Sequence, residues 1–215
     1  MSSKMNEKKV ILVLHEDQIE AKKICKLLTK FGYKALTDDT VKDIHLVICW
    51  DFSDISALRK RFLTPVIFVS ANTDEKNIVE ALDAGASDYF VPPFGSQEHF
   101  ARIRAVLRDF TAESSDNDFT VGGLHINFPS RTVLVDGEKT KLTPIEFRIL
   151  TLLVKNHLKV VTHEQIINDI WGPFNSDNLV VRVNVANIRR KIEKDPSLPR
   201  YILTETGIGY KIAGE

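Results

Sequence analysis

The sequence predicts a doubly wound α/β domain followed by a smaller domain with the element order of a winged helix-turn-helix. The first prediction depends on continuous apolar runs of strand length, which alternate with helix-like segments in the first half of the chain. Such runs are typical of parallel strands that are buried on both faces. The second depends on residues 119–212, where alternating hydrophobicity precedes three helix signals and a closing hairpin.

The first half contains enough strands and helices for a parallel sheet covered on both sides. Five segments have the length and composition of strands: 9–14, 33–37, 45–50, 65–70 and 88–91. Three segments carry apolar side chains at helical spacing: 17–31, 74–84 and 96–110. Gly32 and Gly85 follow the first two of these helices as stop signals.

One connection of this domain is too short for a complete crossover helix. Only about seven residues separate the second strand from the third, whereas a parallel crossover needs about a dozen or more. The next connection, residues 51–64, has room for a short helix only. We therefore expect a five-stranded parallel sheet in which one crossover helix is shortened or missing.

The net charge differs between parts of the chain, although the whole chain has equal numbers of basic and acidic residues, 29 of each. Residues 111–118 are polar and acidic and predict a linker between domains at 1–110 and 119–215. The second domain has 13 basic and 10 acidic residues, so its modest excess is positive. The balance therefore excludes a uniformly basic nucleic-acid binder but not a local basic surface.

The second domain begins with a predicted antiparallel sheet and continues with three helices. Thr143, Pro144 and Glu146 have the residue types of a helix N-cap, a first helical position and an early acid. Residues 162–165 form a capping box for the second helix, and the third helix is predicted at 178–194. Residues 203–212 close the domain as a hairpin, which would be the wing.

The third helix has an apolar side and a polar side suited to a DNA groove. The side predicted to face the core carries Val181, Val185, Ile188 and Ile192. The opposite side and its flanks carry Val183, Ala186, Asn187, Arg190 and Lys194, with Arg182, Arg189, Asn184 and Lys191 beside them. Small, amide and guanidinium groups can meet base edges and phosphates in a major groove. The alternative is an ordinary solvated helix face.

Four segments of the second domain resemble the effector domain of the OmpR/PhoB family of response regulators, and within it the KdpE-like regulators. They are LTPIEFRIL at 142–150, WGP at 171–173, IRRKIEKDPSLPR at 188–200 and TETGIGYKI at 204–212. The first half resembles the receiver domain of that family, most clearly over ALDAGASDYFVPPF at 81–94. The resemblance implies a flavodoxin-like receiver fold and a winged-helix DNA-binding domain.

The resemblance also implies roles for individual residues of the second domain. Val183, Asn184 and Asn187 would approach bases, and Arg182, Arg189 and Arg190 would contact phosphates or base edges. Lys191 flanks this surface, while Thr204, Thr206 and Lys211 of the wing would touch the backbone or minor groove. The loop from Trp171 to Asp177 corresponds to a stretch that can contact RNA polymerase in this family.

The receiver-like domain departs from the family's phosphorylation site. A receiver needs a phosphoacceptor Asp after its third strand and two acids after its first strand to hold Mg²⁺. Here Trp50 occupies the acceptor position and Asp51 follows it. At the two acid positions stand His15 and Glu16, with Asp17 one residue late.

Of the two remaining positions of the phosphorylation site, one keeps the family's residue type and the other does not. Ser70 matches the family's hydroxyl residue, but Pro92 replaces the lysine that would hold a phosphoryl oxygen. Proline supplies neither charge nor donor, and the acceptor Asp and one of the two acids are missing as well. Because these losses together remove much of the charge compensation, we expect no phosphoacceptor, no metal and no other cofactor. The alternative keeps Asp51 as the acceptor for a histidine kinase, with Glu16 and Asp17 holding Mg²⁺; as a simpler possibility, Asp51 is a capping acid.

Dimerisation is also implied by the resemblance. Residues 74–109 correspond to the face that joins two receivers in the family, and Asp88 and Arg102 occupy positions of an inter-subunit ion pair. A surface pair without a role in assembly is the alternative. A homodimer would place two reading helices on tandem half-sites of double-stranded DNA about one turn apart.

Together these features predict a sequence-specific, phosphorylation-independent DNA-binding regulator of transcription rather than an enzyme. The alternatives are a conventional regulator phosphorylated at Asp51, or an interaction module that titrates a partner regulator or RNA polymerase. The chain shows neither a membrane-length apolar run nor a signal peptide, so we expect a cytoplasmic protein. Cys25 and Cys49 lie in apolar runs and predict two buried free thiols.

Overall fold

The computed structural model describes residues 8–38, 43–61, 63–108, 118–175 and 177–214. The chain divides into two compact units between Leu107 and Arg108. The predicted linker at 111–118 lies outside the described residues except for Asp118, which begins a strand instead. Among the helices within these ranges, none is long and apolar enough to cross a membrane.

The N-terminal unit is built on the predicted five-stranded parallel sheet, whose strand order is β2-β1-β3-β4-β5. Its strands are β1 Val10–Leu14, β2 Lys34–Leu36, β3 Leu46–Cys49, β4 Val66–Val69 and β5 Asp88–Phe90. Its helices are α1 Gln18–Lys30, α2 Phe52–Arg61, α3 Glu75–Asp83 and α4 Gln97–Val106. The register pairs Leu14 with Cys49, so the carboxyl ends of β1 and β3 meet at one edge.

The missing crossover helix is confirmed for the part of this connection that the structure describes. Between β2 and β3, residues 37, 38 and 43–45 are not helical. The following connection holds the short helix α2, as its length predicts. Cys49 is fully buried at the end of β3, but Cys25 is only half-buried on α1, so the prediction of two buried thiols is wrong for Cys25.

The C-terminal unit has the winged helix-turn-helix order. A four-stranded antiparallel sheet comes first, with β6 Asp118–Val121, β7 Leu124–Asn127, β8 Thr132–Val135 and β9 Glu138–Thr140. Three helices follow: α5 Pro144–Lys155, α6 His163–Ile170 and α7 Asn178–Ile192. The short strand β10 Val161–Thr162 pairs with the wing, whose strands are β11 Ile202–Glu205 and β12 Gly209–Ile212.

Capping side chains set the starts of the helices in this unit. Thr143 and Glu146 form a complete capping box at α5, and Thr162 and Gln165 form another at α6. The Asp177 carboxylate accepts a hydrogen bond from the N–H of Leu179 and so caps α7. α7 packs on both α5 and α6, and this packing orients the helix predicted to read DNA.

The third helix ends two residues earlier than the sequence predicts. Glu193 leaves the helical conformation, with φ −93° and ψ 142°, so Lys194 lies beyond the helix. The Glu193 side chain turns towards the backbone of the segment that enters the wing, where it accepts hydrogen bonds. A tertiary contact of this kind leaves no mark in the helical periodicity.

Candidate nucleic-acid interface and receiver cleft

The exposed side of α7 is narrower than the sequence predicts. Arg182 and Arg190 are exposed, and Ala186 between them is half-buried. These residues lie close to one side of the helix, since steps of four residues advance little around an α-helix. α7 therefore has an accessible edge that carries two guanidinium groups, and Lys191 beside it is exposed as well.

Three residues predicted to approach bases are buried instead. Val183 is 8% exposed, Asn184 2% and Asn187 5%, so their expected position on an open face of α7 is wrong for this structure. The Asn184 amide donates to the carbonyl of Val180 at 2.8 Å, and the Asn187 carbonyl oxygen accepts from Arg190. Because both amides have hydrogen-bond partners within the protein, their burial costs little free energy. The hydropathy of the sequence does not reveal that these polar side chains are buried.

Arg189 is half-buried and contacts the wing. Its Nε and Nη2 donate to the carbonyl of Ile202 at 3.1 and 2.6 Å, and Nη2 also donates to Thr204 Oγ1 at 2.8 Å. The guanidinium lies 5.7 Å from the centre of the Tyr210 ring. Burial lowers the pKa of Arg189, and the group keeps its charge because a guanidinium is not deprotonated in proteins. Two of its nitrogens are occupied by protein groups, so the expected phosphate contact would have to compete with the wing for these donors.

Lys191 and Lys211 are likewise engaged within the protein. The Lys191 ammonium lies 2.7 and 2.6 Å from the two carboxylate oxygens of Glu146 on α5. Lys211 on β12 pairs with Glu205 on β11 across the wing. Both were expected as DNA contacts, and in this structure both cations are neutralised by a neighbouring carboxylate.

The wing supplies the other accessible polar groups. Thr204 and Thr206 are exposed, as is Ile208 at the turn between the strands. Gly207 lies in this turn with φ 75°, a conformation that glycine adopts without strain. Five of the predicted DNA residues are thus exposed, of which Lys191 is paired with Glu146; the other four are Arg182, Arg190, Thr204 and Thr206.

Glu146 and Glu193 are structural residues that the sequence did not identify as such. Glu146 was expected only as an early acid of its helix, but it also binds Lys191 and is 2% exposed. Glu193 is buried and binds backbone amides of residues 200–202. The capping-box spacing could have revealed part of the first role. An acid after a helix carries no comparable signal.

In the N-terminal unit, a cleft at the carboxyl edge of the sheet collects several predicted pocket residues. It is lined by Val13, Leu14, His15, Glu16, Gln18, Thr37, Asp51 and Asp54. Burial raises the pKa of the Asp54 carboxyl, and the charges of Asp51 and Glu16 raise it further. Asp51 and Glu16 therefore both lie within electrostatic range of Asp54.

Two predicted pocket acids have structural roles: Asp51, which lines this cleft, and Asp17, which is absent from its lining. Asp51 is exposed, and its carboxylate accepts a hydrogen bond from the N–H of Ser53 at 2.9 Å in the first turn of α2. Asp17 caps α1 by accepting from the N–H of Ile19 at 2.7 Å. Both contacts are those of helix-capping acids.

Trp50 occupies the position after β3 with an aromatic side chain. Its ring centre lies 4.8 Å from that of His15 and 6.0 Å from that of Phe94. Ser70 at the end of β4 accepts a hydrogen bond from the N–H of Asn72 at 3.2 Å, and Pro92 is exposed. Aromatic contacts therefore connect the ends of β1 and β3 to the loop after β5.

Asp88 and Arg102 form an ion pair within one chain. Arg102 Nε donates to Asp88 Oδ2 at 3.0 Å, and its Nη2 binds Asp88 Oδ1. Arg102 also donates to Glu98 and to the carbonyl of Tyr89, both at 3.1 Å. Asp88 is fully buried, so the alternative of a surface pair is wrong for this residue, whereas the inter-subunit pair stays a prediction.

A family model described as the C-terminal domain of transcriptional regulatory proteins matches residues 137–212. The transcriptional regulatory protein KdpE of Mycobacterium tuberculosis is 37% identical over 177 residues, which are 81% of this chain and 78% of that protein. KdpE of Escherichia coli is 39% identical over 159 residues, 73% and 71% of the two chains. A solved structure of a RitR mutant has the same fold, with TM-score 0.76, 22% identity and coverage of 96% and 100%.

Proposed function

This chain belongs to the OmpR/PhoB family of DNA-binding response regulators, and we propose that it regulates transcription as a dimer without being phosphorylated. The observation that carries the DNA-binding part is the exposed edge of α7 beside the wing. Arg182 and Arg190 supply cations there, and Thr204 and Thr206 supply hydroxyl groups on the neighbouring hairpin. Guanidinium and hydroxyl groups on a helix and a wing suit phosphate and base-edge contacts.

Binding should be selected from a random pool of DNA duplexes and then measured at several salt concentrations. A sequence-specific regulator enriches a defined site, and its affinity falls as salt rises because phosphate contacts release counterions. An interaction module that only titrates a partner regulator would enrich no site. Enrichment of a directly repeated half-site would also support the dimer.

The proposal that phosphorylation is dispensable depends on Trp50 and Pro92. The residue that follows β3 is an indole in contact with His15 and Phe94, where a phosphoacceptor would need a free carboxylate. At the position of the phosphoryl-binding lysine, Pro92 has no cation to offer. Without these groups, the charge that develops during phosphoryl transfer has little compensation.

A conventional regulator remains the second candidate because Asp51 and Glu16 line the same cleft. Incubation with a small phosphodonor and Mg²⁺, followed by intact mass measurement, separates the two. We expect no added phosphate. Stoichiometric phosphate that disappears in Asp51→Ala would establish Asp51 as the acceptor, and would make a histidine kinase the expected partner.

The proposed dimer would form through α3, β5 and α4 of the N-terminal unit. Within the receiver-like domain the family resemblance is strongest over this part, and the buried pair of Asp88 and Arg102 holds β5 against α4 within each chain. Sedimentation at micromolar concentrations tests assembly directly, and a protein that stays monomeric there, alone and on DNA, contradicts the dimer. We also propose that RNA polymerase is a partner, which would bind through the loop that begins at Trp171. The proposed location of the protein is the cytoplasm.

A further inference from the structure

The segment that enters the wing is held by a buried carboxylate at the end of α7. Glu193 is 7% exposed. Its Oε2 accepts the N–H of Arg200 at 2.7 Å, and its Oε1 accepts the N–H groups of Tyr201 and Ile202, both at 2.9 Å. Charge-assisted hydrogen bonds of this kind are stronger than neutral ones, and three of them converge on one side chain.

One helical turn earlier, Arg189 binds the same segment from its carbonyl side. Its guanidinium donates to the carbonyl of Ile202 through two nitrogens and to Thr204 Oγ1 through one of them. Ile202 is thus bound at its N–H by Glu193 and at its C=O by Arg189. We call these two side chains and residues 200–204 the helix–wing clasp.

We propose that Glu193 and Arg189 are positioning residues that fix the wing relative to α7, so that helix and wing engage one DNA site together. This inference rests on the proposed DNA-binding function. It assigns Arg189 to the clasp instead of to a phosphate, and it gives Glu193 a role in DNA binding without a DNA contact. A carboxylate placed on DNA would repel phosphate, whereas one bound to backbone amides is screened by its partners.

The geometry explains why a clasp is needed. The wing is a two-stranded hairpin, and a two-stranded hairpin is marginally stable by itself. β12 is supported by β10, whereas β11 lies at the edge of this three-stranded sheet and pairs with β12 alone among the described strands. Binding by two separate elements is tight only when they are already held in the spacing that the site requires.

The first test compares two substitutions that change charge equally. Glu193→Gln and Asp195→Asn each remove one negative charge, but the Asp195 carboxylate binds Ser197 within an exposed loop and does not contact the wing in the described part of the chain. We expect Glu193→Gln to weaken binding to the selected DNA by about tenfold or more, since an amide donor then faces a backbone donor in the clasp. Asp195→Asn should leave affinity unchanged or slightly higher. Equal affinities for the two variants would overturn the proposal.

The second test uses a change that keeps the charge of Arg189. Lysine carries the same charge but cannot reproduce the planar set of donors that binds Ile202 and Thr204. We expect Arg189→Lys to weaken DNA binding nearly as much as Arg189→Ala, while Arg131→Lys, an exposed position in the turn between β7 and β8, stays close to the unaltered protein. If Arg189→Lys instead retained full affinity, a simple charge contact with phosphate would explain Arg189.

Hydrogen exchange of the full chain without DNA separates this inference from the proposed function. In Glu193→Gln and Arg189→Lys, amides of residues 203–206 should exchange faster than in Asp195→Asn, while those of α5 stay protected. Unchanged exchange in both clasp variants contradicts the clasp. If the unaltered chain enriched no DNA site, the proposed function would fail while exchange still decided whether the clasp holds the wing.

Discussion

The Lys191 ammonium binds both carboxylate oxygens of Glu146, at 2.7 and 2.6 Å, and so joins α7 to the first turn of α5. Glu146 is 2% exposed and also accepts the N–H of Thr143 as part of its capping box. One carboxylate therefore serves a helix cap and an interhelical ion pair. This arrangement ties the orientation of α7 to the start of α5.

Replacing Lys191 by Met should destabilise the C-terminal unit rather than reduce its charge contact with DNA. Loss of the ammonium leaves a buried carboxylate without its cation, which we expect to lower the free energy of unfolding by about 2 kcal/mol. Lys194→Met is the matched control, because Lys194 is exposed beyond the end of α7. Urea unfolding measures both. A loss of salt dependence in DNA binding without loss of stability would show that Lys191 contacts phosphate.

Arg182→Ala should weaken binding to all DNA sequences about equally. Arg182 lies exposed on α7, so its removal should lower the slope of log affinity against log salt by about one unit if it contacts one phosphate. Arg182→Lys keeps the charge and should keep most of the slope. A slope that stays unchanged in Arg182→Ala would exclude a phosphate contact, and loss of binding to one sequence only would indicate a base contact.

The sequence predicts the fold more completely than it predicts the DNA-binding interface. Parallel strands buried on both faces and capping motifs such as Thr162 with Gln165 are local patterns, and the structure has them where expected. The side chains of α7 depend instead on what lies opposite. Arg189 and Lys191 look like free cations in the sequence, but Ile202 and Glu146, 13 and 45 residues away, hold them.

Asn187 shows the same limit for amides. On a helical wheel it lies opposite the apolar stripe, yet it is buried with Arg190 as a partner. Its predicted contact with bases is untested, and Asn187→Ala remains the variant that would relax sequence preference if that contact forms.

In the N-terminal unit, Asp88 and Arg102 were correctly paired with each other. Whether such a pair lies within one chain or between two chains depends on tertiary structure, which the spacing of the two residues does not encode.

Arg102→Ala should strongly destabilise the N-terminal unit. The substitution leaves the fully buried Asp88 carboxylate without its guanidinium partner, and breaking such a pair costs about 3–5 kcal/mol. Adding Asp88→Asn to Arg102→Ala removes the uncompensated charge and should recover part of the loss. Thermal unfolding of both variants gives the comparison. Normal stability in Arg102→Ala, accompanied by loss of self-association, would instead support the inter-subunit pair.

His99 should make the N-terminal unit less stable in mild acid. The side chain is 7% exposed, stacks on Phe90 with ring centres 4.4 Å apart, and accepts the N–H of Gly95 through Nδ1 at 3.2 Å. Burial lowers the pKa of His99, and the charge of Arg102 lowers it further.

Below about pH 6.5 the unfolded chain therefore binds a proton that the folded chain does not. The stability contributed by His99 is complete above that pH and falls as the pH drops towards the lowered pKa of the folded state. Urea unfolding between about pH 7.5 and about pH 5.5 should show a smaller loss for His99→Asn, whose Oδ1 stands at the position of Nδ1 and does not titrate in this range. Parallel pH profiles for the two proteins would show that another group causes the acid sensitivity.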